Sequence, residues 1–278
     1  MYDNTHQTFT SLLWFSMVSH PKDAPEPIPE STRTPARIPV GISACLLGEP
    51  VRYDGAHKRS DYCHDVLGAL FELCPVCPEM QVGLGAPRTI IRLVERGVTN
   101  VRAIQQTQPL RDLTADLQGV ADALLNRVPA LCGMVLTEKS PSCGLHQVKT
   151  YHAQGALLHT HGRGLFAGRL AERLPHFPLE EAARLDNPLR QNSFIQRVYA
   201  WHDWHTVVLP HSPDSHAIDK QAVSQYWQRY RPWVSHCHAA ACQPLEGAIA
   251  AHAMTLTLHA AVAFFHQLMT ALEAPFRQ

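Results

Sequence analysis

Apolar residues follow two rhythms along this chain, and the rhythms alternate. Short apolar runs at residues 38–44, 73–76 and 131–136 read as buried strands, and residues 89–94 and 98–104 as further strands. Helical patterns lie between them. In residues 112–128 the apolar positions Leu113, Leu117, Val120, Ala121, Leu124, Leu125 and Val128 keep helical spacing. Asp112 stands where a carboxylate accepts free amides, and Pro129 stops the pattern. Residues 61–71, 164–174 and 192–204 also read as helices. Strands alternating with helices predict an α/β fold: a mostly parallel sheet with helices on both faces, followed by a small helical C-terminal region. Ligands of such sheets bind outside the carboxyl ends of the strands.

The two ends depart from this alternation. Prolines crowd residues 20–39, removing amide donors and favouring extended backbone, so residues 1–36 are expected to form a disordered leader. The apolar stretch Leu12-Leu13-Trp14-Phe15 lacks a basic flank and is too short to span a bilayer, which predicts a cytoplasmic protein. Residues 247–272 contain no charged residue and have the length of a membrane span. However, Ala dominates there, and His252, His259 and His266 recur every seven residues, which would put a polar stripe on one helical face. The expectation is a packed or partner-facing helix and no membrane contact. The domain reading is a leader over residues 1–36, a catalytic domain over 37–190 and a helical region over 191–278.

Composition narrows the chemistry. With 278 residues, 45% of them apolar, the chain has material for a real core. Lys+Arg 24 against Asp+Glu 24 gives zero formal charge, which excludes a globally basic nucleic-acid binder; any polyanion site must be local. The 8 cysteines read as thiols or metal ligands rather than as a disulfide framework.

Three of these cysteines follow predicted strands. Cys45 stands after the first, Cys77 after the second, and Cys143 after the strand that succeeds the long helix. In a parallel sheet these loops converge on one edge, and three thiolates brought together there make a soft-metal or iron–sulfur site. Cys74-Pro75-Val76-Cys77 offers a rival, a zinc or dithiol redox module, although Pro78 and the Gly-rich loop beyond it are poor material for the helix such a dithiol needs. Cys63 and Cys132 read as structural. Cys237 and Cys242 match no usual zinc spacing.

Around these positions stand Gly41-Ile42-Ser43-Ala44-Cys45-Leu46-Leu47-Gly48 with Val51-Arg52-Tyr53-Asp54-Gly55, Cys77-Pro78-Glu79 with Gly83-Leu84-Gly85-Ala86-Pro87-Arg88, and Ser140-Pro141-Ser142-Cys143-Gly144. Gly164-Leu165-Phe166-Ala167, Arg184-Leu185 and Asn192-Ser193-Phe194-Ile195-Gln196-Arg197-Val198-Tyr199 continue the pattern. Over roughly residues 38–203 these segments resemble the thiouracil desulfidase family, formerly a domain of unknown function, and within it the two-domain members that act on 4-thiouridine in tRNA. From about Thr206 onward the chain departs from their helical module: it is nearly devoid of Lys and Arg between Arg231 and Arg277, where a tRNA-binding module should be basic.

The resemblance implies a 4Fe-4S cluster held by three cysteines, with one iron open, and Cys45, Cys77 and Cys143 match those ligands. It implies a proton-transfer role for Glu79 and a hydroxyl role for Ser140. Arg52, Asp54, His57, Lys58 and Arg88 share these loops and are candidates to hold a base edge or a phosphate, with Ser142 beside them. The implied reaction is non-redox replacement of sulfur by oxygen on a thiolated uracil or uridine, whether free base, nucleoside or tRNA. A thiolation enzyme that activates the base with ATP would need a phosphate-binding loop, and no G-x-x-x-x-G-K-[ST] motif occurs.

Overall fold

A computed structural model describes residues 37–97, 100–126, 131–211 and 217–273. The leader reading and the stop at Pro129 lie outside them. The first apolar run forms β1 (Pro39–Ser43), whose Val40 and Ile42 are fully buried because strands flank it on both edges. A 3-10 turn, Ala44–Leu47, and a π-helical turn, Tyr62–Leu67, lead to β2 (Glu72–Val76). The short helix α1 (Pro78–Gln81) starts on Pro78, at a position whose amide would have no helical acceptor. Strands β3 (Ile91–Glu95), β4 (Val101–Gln105) and β5 (Arg111–Asp112) precede α2 (Thr114–Leu125). Then come β6 (Met134–Leu136), β7 (Val148–His152), β8 (Leu157–Gly162), α3 (Leu165–Arg173), β9 (Leu179–Glu181) and α4 (Pro188–Asp203). The chain ends with β10 (Ala217–Asp219), α5 (Lys220–His238), α6 (Cys242–Ala250), β11 (Thr255–Thr257) and α7 (Leu258–Glu273).

The predicted α/β class is observed. Strands β2, β1, β6 and β9, in that order, form a wholly parallel sheet. From β1 the chain goes to β2 on one side and later to β6 on the other. The strand order therefore reverses at the β1–β6 pair, where such sheets open a crevice beyond the carboxyl ends. Helix α4 packs closely against the start of β6: a Cβ on Gly133 would lie 2.8 Å from the Val198 side chain.

The sequence pattern does not show a second layer, a five-stranded sheet ordered β5-β4-β3-β7-β8 in which only β3 and β7 run parallel. The hairpin β7–β8 escapes because β8 is partly solvated along its whole length and carries His159 and His161, so it has no apolar alternation. Leu113 and Leu117, at the start of α2, pack against Ile91, Leu93, Ala103 and Val148 of this layer. The expected carboxylate at the start of α2 is present, Asp112 Oδ1 accepting the Thr114 amide at 2.9 Å.

Residues 247–272 do not form one helix. Leu256 and Ile218 are buried against each other's strands in the β10–β11 pair, which interrupts the segment between α6 and α7. His252 thus lies in the connection, and only His259 and His266 share a helix, so the predicted three-histidine stripe does not exist. Among the described residues no helix is long and apolar enough to cross a membrane. Ser193 Oγ of α4 donates to Leu272 O at 2.7 Å, and Tyr230 of α5 donates to Asp203 Oδ2 of α4 at 2.6 Å, joining the C-terminal helices to α4.

Candidate active site

Strands β1, β2 and β6 end on the same edge of the parallel sheet, and a cysteine follows each. Cys45 sits in the 3-10 turn after β1, Cys77 between β2 and α1, and Cys143 in the loop beyond β6. All three line one cavity of about 530 Å³. Burial pushes each thiol above its ordinary range, and the sulfurs act on one another: Cys77 bears on Cys45, and both bear on Cys143. Two hydroxyls oppose this, Thr137 favouring the thiolate of Cys45 and Ser43 that of Cys143.

The Cys143 loop is fixed by the next helix. The free amides of Leu165 and Ala167, at the start of α3, donate to Pro141 O at 3.0 Å and Ser142 O at 3.1 Å. Gly164 makes this approach feasible, since a Cβ there would lie 2.5 Å from Ser142 O. On the far side the buried carboxylate of Glu181 accepts the amides of Leu145 and His146 at 2.8 and 3.0 Å. Ser140 Oγ accepts the amides of Ser142 and Cys143 at 3.2 and 3.1 Å. It thereby shapes the turn, yet its own proton remains available to a neighbour.

Glu79 reaches the cavity from α1. Arg88 Nε donates to its Oε2 at 2.7 Å and Ser142 Oγ to its Oε1 at 2.8 Å, while Arg88 also donates to Gly85 O at 2.6 Å. The Arg88 and Glu79 side chains are 5% and 12% exposed, so their pairing is charge-assisted and largely shielded from water. The Arg88 amide donates to Tyr53 O at 2.8 Å, tying the loop after β1 to the loop after α1.

The other candidates divide. Arg52 lines the cavity. Asp54 lies outside it in a surface turn, held below the usual carboxylate range by the Ala56 amide and by Arg52. Ser142 is fully buried behind the cavity wall, on Glu79. Lys58 lines the cavity and pairs with Glu138. His57 is exposed and accepts the Arg59 amide through Nδ1 at 3.3 Å. The sequence reading missed Ser43 and Thr137, two hydroxyls at strand ends, and the cavity wall formed by Leu93, Val148 and Tyr151 of the second sheet.

Cys74 lies within β2, and side chains alternate along a strand, so Cys74 and Cys77 leave it toward opposite faces. That geometry is contrary to a dithiol. Among the described residues no three His, Cys, Asp or Glu side chains gather as ligands of a single metal ion. Ligands of one zinc, with bonds of about 2.3 Å to sulfur, must crowd together, whereas cluster thiolates sit on separate irons and stand wider apart. Three thiols on one open cavity have the donor chemistry for an iron–sulfur group.

The chain is thus an α/β protein with three thiols and a clamped carboxylate on one cleft at the switch point of its parallel sheet. Residues 40–182 match the 2-thiouracil desulfurase family, and the chain belongs to that family. Its chemistry is therefore desulfuration of thiouracil. Among solved structures the chain is similar to the 4Fe-4S-dependent thiouracil desulfidase TudS, with 29% identity over 53% of this chain and 92% of that one and a TM-score of 0.43. No curated protein matches the chain.

Proposed function

We propose that the protein replaces the sulfur of a thiolated uracil or uridine ring with oxygen, using a 4Fe-4S cluster held by Cys45, Cys77 and Cys143. The observation that carries this reading is the convergence of three thiols, Cys45 and Cys143 buried and Cys77 half-buried, and Glu79 on one cavity at the sheet's switch point. When bound, a cluster with one iron free of protein ligands supplies a soft Lewis acid suited to a thiocarbonyl sulfur. The balance is a thiocarbonyl plus water giving a carbonyl plus hydrogen sulfide, with no electrons exchanged.

The chain's own groups handle the protons. Each Glu79 oxygen already accepts one hydrogen bond, from Arg88 or from Ser142, and retains a lone pair for a water proton. This double clamp fixes the carboxylate's plane, so the base is oriented before the substrate arrives. The Ser140 hydroxyl, its oxygen engaged by two amides, turns its proton outward to the ring atom on which charge develops. Arg52, beside Cys45, is placed for the ring or its substituent.

The test is anaerobic purification with iron and sulfide reconstitution, followed by loss of thiocarbonyl absorbance from 2-thiouracil, 4-thiouridine and thiolated tRNA. Turnover that disappears in Cys143→Ala supports the reading. A colourless protein that retains zinc, or an active Cys143→Ala variant, overturns it.

A further inference from the structure

A second cavity, of about 330 Å³, lies at β9 and helices α3, α4 and α7 and shares no lining residue with the thiol cavity. Arg163, Arg184, Arg190 and Arg197 line it, against the carboxylates of Glu180 and Glu273. The buried Glu180 is shared by three guanidiniums: Arg184 Nε lies 3.3 Å from Oε1, with Arg197 and Arg190 nitrogens 3.7 and 3.9 Å from Oε2. Arg197 Nη1 also donates to Leu179 O at 3.4 Å and Arg163 Nε to Leu145 O at 3.3 Å, and Glu273 acts on Arg197 and Arg190; four guanidiniums with five donors each still outnumber the acceptors of two carboxylates. Arg197 is 5% exposed, and its buried Nε has no hydrogen-bond partner. A buried cation left short of acceptors is costly unless an anion completes its shell.

His146, also on the cavity wall, is held below the ordinary histidine range by burial first and then by Arg184; Glu180 opposes this, and Arg163 and Arg190 add to it. His146 and Arg184 also line a third, shallow cavity, which shares Glu138, Lys139 and Gln147 with the thiol cavity. The third pocket thus adjoins both others through shared lining residues, marking a track from the arginines toward the thiols. Carboxylates also border it: Glu79 is held by Arg88 and Ser142, Glu181 accepts two amides, and Glu138 pairs with Lys58 through Oε1 while its buried Oε2 has no hydrogen-bond partner. The non-glycine residues with left-handed backbone among those described, Lys139, Gln147 and His176, at φ 60, 55 and 69, all lie along this track. Such strain concentrates at functional surfaces.

We propose that the arginine cavity binds a phosphate group of the substrate, the track leading from it to the thiols. Guanidinium forks match phosphate oxygens in pairs, and the site supplies the local basic patch that the neutral whole-chain charge and the poorly basic tail do not. The phosphate site stands on its own geometry; its assignment to the substrate rests on the desulfidase reading. Two sources fit the chemistry: the phosphate of a thiolated mononucleotide, or a phosphodiester of RNA flanking the thiolated base.

Binding is measured on the full chain without turnover, by calorimetry with inorganic phosphate and uridine 5′-monophosphate, and by anisotropy with a fluorescein-labelled single-stranded oligouridylate. Saturable phosphate binding, weakened about tenfold in Arg184→Gln or Arg163→Gln and strengthened in Glu180→Gln, is the expected result. Tight oligouridylate binding displaced by inorganic phosphate assigns the site to an RNA backbone; binding of phosphate and monophosphate alone assigns it to a mononucleotide. No saturable binding of any probe, or binding unchanged in folded Arg184→Gln and Arg163→Gln, overturns the proposal. A chain that binds phosphate yet desulfurates nothing overturns the functional reading and leaves the anion site standing.

Discussion

Ser142, fully buried, donates its hydroxyl proton to Oε1 of Glu79 at 2.8 Å, joining the loop of one proposed ligand, Cys143, to the helix that follows another, Cys77. The contact orients the carboxylate from behind the cavity. If the proposed function holds, Ser142→Ala is expected to retain reconstituted iron and its fold while kcat falls about tenfold with KM little changed, because the lost interaction positions the proposed proton acceptor and Ser142 does not line the cavity. Steady-state kinetics beside iron analysis would show this, and unchanged kcat would remove Ser142 from the mechanism.

The Arg88–Glu79 pair should behave differently. Removing the cation from a mostly buried pair leaves a shielded carboxylate uncompensated, so Arg88→Met should cost roughly 3 kcal/mol of stability, more than Glu79→Gln. Urea unfolding of both variants measures the difference. Midpoints of both variants close to that of the unsubstituted protein would mean that the pair is as weak as a surface salt bridge.

Iron retention should separate the cysteines by position. Alanine at Cys45, Cys77 or Cys143 is expected to abolish the visible absorbance of the reconstituted protein. Cys74→Ala should leave it intact, since Cys74 departs from β2 on the other face. Loss of the chromophore in Cys74→Ala would reassign the ligand set.

A variant that touches no ligand tests the loop. Gly164→Ala keeps an allowed backbone, φ −63 and ψ 146, but places a methyl 2.5 Å from Ser142 O. The loop must shift, and the proposed ligand shifts with it. Iron content should fall sharply while far-UV dichroism is retained; full occupancy would show that the loop yields without moving Cys143.

Acidification should destabilise the fold through histidines that folding partly removes from water. His205, held below the ordinary histidine range by burial, donates Nδ1–H to Trp201 O at 2.8 Å, and burial also lowers His146 and His266. The unfolded chain therefore binds more protons near pH 6, so stability falls as pH drops through the ordinary histidine value of about 6.5. Urea midpoints at pH 7.5 and 5.5 should differ, and His205→Gln should narrow the gap. An unaltered gap would clear His205 of the effect.

The legible parts of this molecule are those where one residue type has one physical use. The runs that became β1 and β6 are apolar because central parallel strands have no wet face; β2 is a partly exposed edge strand, and cysteines beyond all three fall on the switch-point edge by topology alone. The hairpin β7–β8 was illegible because water reaches much of it and polar residues serve there as well as apolar ones. The helix read across residues 247–272 failed at Thr255–Thr257, where pairing with a distant strand overrode a continuous apolar stretch. In the site, Cys45, Cys77, Cys143 and Glu79 were readable beside their strands. Ser142's place behind Glu79 and the meeting of Arg163, Arg184, Arg190 and Arg197 depend on folding and leave no spacing to read.

The two sheets are also threaded through each other in the chain. Strands β3 and β7 pair side by side, Leu93 opposite Thr150, although β6 of the parallel sheet lies between them in sequence. Neither sheet is a contiguous segment that a truncation could isolate, and each holds open the reading frame of the other. The cleft wall and the thiol-bearing edge are thus expected to unfold as one cooperative unit, so damage to the solvated hairpin is transmitted to the sulfur site as surely as damage to the core.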